Sequence, residues 1–306
     1  MNPLRIGWIG VGAMGRPMCL NLLNAGYPVM VFDKTASQCE PVIAAGAAMT
    51  ASPKDLMAAV DVVFSTIFND EGLRDIVMSE DGLLAGAAGA GIHVDMSTVS
   101  PDVSATVAQA LAQRGVQYLR APVSGTVSLA ASAQLSSYVS GPKEAFDAVR
   151  PVLACLTARQ TYVGEAEEAR VIKLMINLMV FMSTAVIGEG LAFGARAGLD
   201  RALMIDAIND SIVASPHYKT KAEKLKQREY SADGAISLVV KDLDLALAVA
   251  RRNDAALPIS SLVRQYLAMM QSRDMSHLDV AALADVLAMM SGHADAQDFR
   301  PSCPGP

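Results

Sequence analysis

A lysine and an amide stand four positions apart in a strongly apolar stretch, ARVIKLMINLMVFMSTAVIGEG, residues 169–190. On a helix, Lys173 and Asn177 share one face, a turn apart. Burying an ammonium beside an amide is costly unless both are paired or used. Apolar surroundings disfavour the charged amine, moving it down from its ordinary value of about 10.4 toward neutral pH. A lysine tuned in this way can trade a proton with a hydroxyl or carbonyl oxygen. The blander alternative has Lys173 extending its ammonium to the surface while Asn177 pairs with backbone.

A second group of residues could hold a charged ligand. Gly10, Gly12 and Gly15 form G-V-G-A-M-G between an apolar run and a helical one. In such a loop the first glycine makes a tight turn, the second lets backbone approach a pyrophosphate, and the third lets helix and strand pack closely. Backbone N–H groups at the helix start then face phosphate. Asp33 closes the next apolar run, PVMVFD, where a carboxylate accepts the ribose 2′-hydroxyl of NAD and repels the 2′-phosphate of NADP. NAD is therefore the expected cofactor. Lys34 beside Asp33 softens the discrimination, so NADP is not excluded.

These residues need a scaffold, and the periodicity supplies one. LRIGWIGVGAMGRPMCLNLLNAGYPVMVFD reads as strand, glycine turn, helix closed by Gly26, and strand. Further strand-like runs (DVVFSTIF, GIHVDMS, VQYLRAPV, LSSYVSG) alternate with helical stretches to about residue 163. That alternation predicts an α/β fold, a mostly parallel, doubly wound Rossmann-type sheet covered on both faces. From about 166 to 290 the period is helical throughout. Gly198 is placed to stop the helix that carries Lys173, and Pro258 to start another. The expected organisation is a dinucleotide-binding domain over 1–163 and an all-helical domain over 164–306, with a mobile tail from about 293.

Composition narrows the function classes. The chain has 306 residues, 52% of them hydrophobic and 18% charged, and a mean hydropathy of +0.31, so it can bury large cores. A net charge of −6 and the lack of a basic run argue against nucleic acid as a partner. Cys19, Cys39, Cys155 and Cys303 form no C-x-x-C pair and the four histidines are dispersed, so no metal site is expected. The opening segment comes nearest to a membrane span, but its charge-free run is about 15 residues, short of the roughly 20 required. A soluble cytoplasmic protein is expected. The long apolar helix is wide enough to face a partner, which predicts a homodimer or homotetramer.

The motifs together resemble the β-hydroxyacid dehydrogenase family, which includes 3-hydroxyisobutyrate dehydrogenase and tartronate semialdehyde reductase. The resemblance runs from Ile6 to about Pro258. GWIGVGAMGRPMCLNL matches the cofactor fingerprint, including Met14; DMSTVSP (95–101), APVSG (121–125) and KDLDLA (from Lys241) match later motifs. Lys173 and Asn177 fall on the family's catalytic lysine and its companion asparagine. The resemblance implies a Rossmann domain joined by a long helix to an all-α domain. It implies hydride transfer between nicotinamide and a small β-hydroxy acid, with Lys173 as general acid/base. It further implies that Ser124, Gly125 and Thr126 lie at the substrate, and that Ile67, Phe68, Thr98 and Lys241 join the glycines and Asp33 at the cofactor.

Five positions depart from the family pattern. Arg120 stands where an aspartate is usual, Thr126 and Ala133 where glycines are, Gln134 where a threonine is, and Phe68 where a proline is. Thr126 and Arg120 leave the third substituent of the substrate open. Arg120 is expected at the surface. Two other functions fit the same outline: an imine reductase, against which Lys173 speaks, and a non-catalytic dinucleotide-binding module. Glu189 is expected to serve packing or subunit pairing, and His217, Tyr218 and Tyr230 to be structural or to line the cleft.

Overall fold

The structure, a computed structural model, describes residues 4–89 and 91–292. The tail expected to be mobile, with Cys303, lies outside the described residues. By contact the chain divides into two units, Met1–Lys173 and Leu174–Pro306.

The first unit holds strands β1 (Ile6–Ile9), β2 (Val29–Phe32), β3 (Ala48–Met49), β4 (Val62–Ser65), β5 (Ile92–Asp95), β6 (Gln117–Arg120), β7 (Val123–Ser124), β8 (Leu135–Ser140) and β9 (Thr157–Gly164). Its helices are α1 (Gly15–Asn24), α2 (Glu40–Ala44), α3 (Pro53–Ala59), α4 (Asp70–Met78), α5 (Leu83–Gly86), α6 (Pro101–Gln113), α7 (Val127–Ala131) and α8 (Lys143–Leu153). Sheet order is β3-β2-β1-β4-β5-β6-β8-β7, with β9 beside β8. The order 3-2-1-4-5-6 in parallel strands is the Rossmann arrangement, in which ligands bind beyond the carboxyl ends of the strands where the order reverses. The parallel run stops at β6: β8 is antiparallel to β6 and β7, and β9 is parallel to β8.

Alternation along the central strands feeds two apolar layers. Ile6, Trp8, Val62 and Phe64 pack with Met18 and Leu22 of α1 and with Val149 and Leu153 of α8. Ile9 and Val63 pack instead with Leu56 of α3, Leu73 of α4 and Val103, Val107 and Leu111 of α6. Helices on both faces let each strand bury both of its sides, as the apolar runs require.

The second unit is helical: the rest of α9 (Glu168–Arg196), then α10 (Arg201–Asp210), α11 (Pro216–Gln227), α12 (Ile236–Arg252), α13 (Pro258–Gln271) and α14 (Leu283–Met290). Phe181 and Leu191 of α9 share a core with Ile236 and Leu243 of α12, Leu267 of α13 and Leu287 of α14. Gly198, at φ +84°, follows the last turn of α9, and α13 starts on Pro258, as predicted. Among the described residues α9 alone is long and apolar enough to cross a membrane by length and composition, a property shared with core helices of soluble proteins. The opening segment named above is broken into β1, the glycine loop and α1.

Candidate active site

The glycine loop has the geometry its spacing predicts. Gly10 takes φ +88°, and a Cβ there would lie 2.2 Å from the Thr66 carbonyl oxygen. A Cβ on Gly15 would lie 2.0 Å from the Gly10 carbonyl oxygen, whereas one on Gly12 would meet nothing within 4 Å. Two glycines are thus required by the fold, and the third faces open space. The Gly10 carbonyl accepts from Thr66 Oγ1 at 2.6 Å and from the buried Trp8 Nε1 at 3.1 Å, so the turn is held from below. Helix α1 begins after Met14 with no capping side chain and no acid in its first turn. By contrast, α3, α4 and α6 are capped by Ser52, Asn69 and Ser100. An uncapped start leaves backbone donors and a favourable dipole for phosphate.

Asp33 sits beside this loop. Its Oδ2 accepts from the Val11 N–H at 2.7 Å and its Oδ1 from the Thr35 N–H at 2.8 Å. A carboxylate oxygen accepts about two bonds, so each retains capacity for a ribose hydroxyl. Cradle, helix start and carboxylate together fit a nicotinamide dinucleotide.

At the end of β5 lies a buried polar cluster that sequence reasoning missed. Asp95 Oδ1 accepts from Ser65 Oγ at 2.8 Å and also from Ser97 Oγ. Ser97 Oγ in turn accepts from the Ile67 N–H at 2.7 Å. Since the Ser65 hydroxyl donates to Asp95, it must accept from His93 Nε2 at 2.8 Å, which assigns the ring proton to Nε2. Burial pushes His93 down to about 4, so the ring is neutral. Burial alone would raise the Asp95 carboxyl, yet Arg170, His93 and the serine hydroxyls hold it below its ordinary value. The Arg170 side chain, only 1% exposed, pairs with Asp95 Oδ2 and donates to the Tyr118 hydroxyl at 2.9 Å, to the Ser97 carbonyl and to Ser104 Oγ at 3.3 Å. The signal was present: Arg170 is a charge at the start of the same apolar stretch that drew attention to Lys173.

One turn beyond Arg170, Lys173 is half-buried and its Nζ donates to Ser124 Oγ at 3.2 Å. The helix lysine and the APVSG serine, 49 residues apart, are thus brought together within the first unit. Gly125 follows at φ +141°, where a Cβ would press on Leu135. Thr126 caps α7, its Oγ1 accepting from the Leu129 N–H at 3.4 Å. Ile67 packs near Gly10, and Phe68 is 59% exposed. Thr98 is half-buried, directly after Ser97.

In the second unit, Asn177 Nδ2 donates to Asp242 Oδ2 at 2.7 Å, and Lys241 pairs with Asp242 at 2.8 Å. His217 bonds Thr184 Oγ1 at 3.0 Å, and burial with Lys221 nearby lowers its pKa. Tyr230 is buried against Asp285 and Arg201, a structural position. Tyr218 packs against the helical core, and Glu189 is exposed.

Comparison with known proteins finds two family matches. Residues 5–164 match the NAD-binding domain of 6-phosphogluconate dehydrogenase, and residues 168–287 match a family described as the NAD-binding domain of NADP-dependent 3-hydroxyisobutyrate dehydrogenase. The chain is 31% identical to 2-(hydroxymethyl)glutarate dehydrogenase of Eubacterium barkeri, over 94% of this chain and 96% of that one.

The chain belongs to the β-hydroxyacid dehydrogenase family. It is an oxidoreductase with a nicotinamide dinucleotide-binding domain. Two solved structures resemble it over most of its length. Psf3 in complex with NADP+ and 2-OPP is 30% identical, with a TM-score of 0.84 over 92% of this chain and 99% of that one. The Mycobacterium tuberculosis 3-hydroxyisobutyrate dehydrogenase with L-serine is 26% identical, with a TM-score of 0.85 over 94% and 99%.

Against the β-hydroxyacid dehydrogenase pattern, Arg120 corrects an expectation. It is buried, 6% exposed, because the Glu167 carboxylate neutralises it and the Tyr118 ring lies 4.8 Å from its guanidinium carbon. Ala133 takes the left-handed backbone, φ +56°, where the family's glycine would sit without strain.

Proposed function

We propose that this β-hydroxyacid dehydrogenase interconverts a small β-hydroxy acid and its semialdehyde or ketone, with NAD as the favoured cofactor. The observation that carries the proposal is the 3.2 Å bond from Lys173 Nζ to Ser124 Oγ, made in the same unit as the glycine loop. When bound, the nicotinamide supplies or removes the hydride. Lys173 gives a proton to the substrate oxygen as negative charge grows on it during reduction, and takes the proton back during oxidation. Ser124 holds Nζ at the substrate loop and, with the Gly125 and Thr126 segment, receives the carboxylate. Asn177 is assigned to the substrate oxygen and Lys241 to the cofactor by resemblance alone. The glycine loop and the start of α1 hold the pyrophosphate, and Asp33 the adenosine ribose. Ile67, Phe68 and Thr98 border the nicotinamide half.

The test is NAD(H)-linked turnover over 3-hydroxyisobutyrate, 3-hydroxypropionate, glycerate, serine, threonate and a sulfonate analogue. Lys173→Ala is expected to lower kcat by about 10²–10⁴-fold while still binding NADH. Normal turnover in Lys173→Ala would overturn the role of the lysine. A clear preference for NADPH in kcat/KM would overturn the assignment of NAD. Turnover of cyclic imines with none of the acids would favour an imine reductase instead.

A further inference from the structure

Arg170 is a costly residue to bury. Its guanidinium is paired with Asp95, a residue with 0% exposure, and its donors reach four groups from three parts of the first unit. Asp95 and the Ser97 carbonyl belong to β5 and the loop after it, Tyr118 to β6, and Ser104 to α6. A guanidinium has five N–H donors in one rigid plane, so engaging four separate acceptors fixes its position and the direction of its stem. Residues three apart on a helix lie on adjoining faces of successive turns. Arg170, in the first turn of α9, therefore anchors the helix one turn before the position from which Lys173 projects to Ser124.

The same carboxylate organises the neighbouring loops. Asp95 holds Ser97, and Ser97 holds the Ile67 backbone. These bonds do not pass through Arg170. Loss of the guanidinium would therefore release the lysine's helix before it released the loop at Ile67.

We infer that Arg170 is a positioning residue for Lys173: its pairing with Asp95 and its bonds to Ser97, Ser104 and Tyr118 fix the start of the helix whose next turn sets the lysine Nζ against Ser124. The inference rests on the assignment of Lys173 made above. It makes Arg170 act through another side chain, with no contact of its own to substrate.

A double-mutant cycle tests it. Arg170→Lys keeps a positive charge for Asp95 but replaces the planar fork with one ammonium. With the acid turned over fastest in the panel above, Arg170→Lys is expected to lower kcat at least tenfold, with NADH affinity, read by fluorescence titration, changing less than about threefold. In the Lys173→Ala background the same change is expected to alter the residual rate less than about twofold, because the group it positions is gone. A folded Arg170→Lys enzyme with unchanged kcat would overturn the inference. So would equal losses in both backgrounds, which would mean that Arg170 serves the fold at large. If Arg170→Lys does not fold, Tyr118→Phe and Ser104→Ala each remove one acceptor and leave the ion pair. Each is then expected to lose about threefold in kcat in the wild-type background and nothing beside Lys173→Ala. Full turnover in Lys173→Ala alone would instead defeat the assignment of the lysine, an outcome distinct from a dead Lys173→Ala with a fully active Arg170→Lys.

Discussion

Arg120 and Glu167, 47 residues apart, form a part-buried ion pair at the roots of the two segments that carry Ser124 and Lys173. Arg120 ends β6 just before Ala121–Gly125, and Glu167 immediately precedes α9. Removing one partner leaves the other charged and poorly solvated. Glu167→Ala is expected to destabilise the protein by roughly 3 kcal/mol, and Arg120→Met/Glu167→Leu by less than the sum of its single changes. Urea unfolding of the four proteins at pH 7 measures both.

The glycine loop predicts opposite outcomes at two positions. Gly12→Ala puts its methyl into open space, so thermal stability should hold while NADH affinity falls at least tenfold, because that space is where phosphate approaches. Gly15→Ala drives a methyl into the Gly10 carbonyl and should lower stability itself, by about 2 kcal/mol. Thermal melts and NADH titration of the two variants distinguish the roles.

His93 makes stability depend on pH. Its folded pKa, about 4, lies below the ordinary 6.5, so the unfolded chain binds the extra proton. The contribution is complete above pH 6.5 and is lost as pH falls toward 4, by at most about 3 kcal/mol. Asp95, also lowered, adds a loss in the same direction at lower pH. Urea midpoints from pH 7 to 4.5 should fall, and the slope should flatten in His93→Gln.

Ala133→Gly should stabilise the protein. The alanine is held at φ +56°, a conformation that costs an L-residue about 1 kcal/mol, whereas glycine pays chiefly in the entropy of the unfolded chain. A net gain of about 0.5 kcal/mol, read as a higher urea midpoint, is the expected result.

What sequence could disclose followed from range. The glycine loop, Asp33 and the alternation of β1–β6 with helices are local patterns, and each appears in the structure where its residues lie. Lys173 stood out because a charge in an apolar helix is anomalous on its own. The cluster around Asp95 did not. Ser65, His93, Ser97, Ser104 and Tyr118 are singly unremarkable; parallel pairing of β4, β5 and β6 gathers the strand residues, and α6 and the start of α9 bring Ser104 and Arg170 to them. Arg120 was misplaced at the surface for the same reason, since its neutralising partner lies 47 residues downstream. The antiparallel return of β8 was equally hidden, because one strand reads much like another whichever way it runs.

The two charge pairs that link the sheet to residues 167–170 also set where this chain can be cut and recombined. Arg120 with Glu167, and Asp95 with Arg170, are matched across the junction between strand and helix. A chimera that imports a relative's substrate loop without the stretch leading into α9 would set charge against charge at Glu167. The segments 95–126 and 164–173 therefore form a single cassette, to be exchanged together.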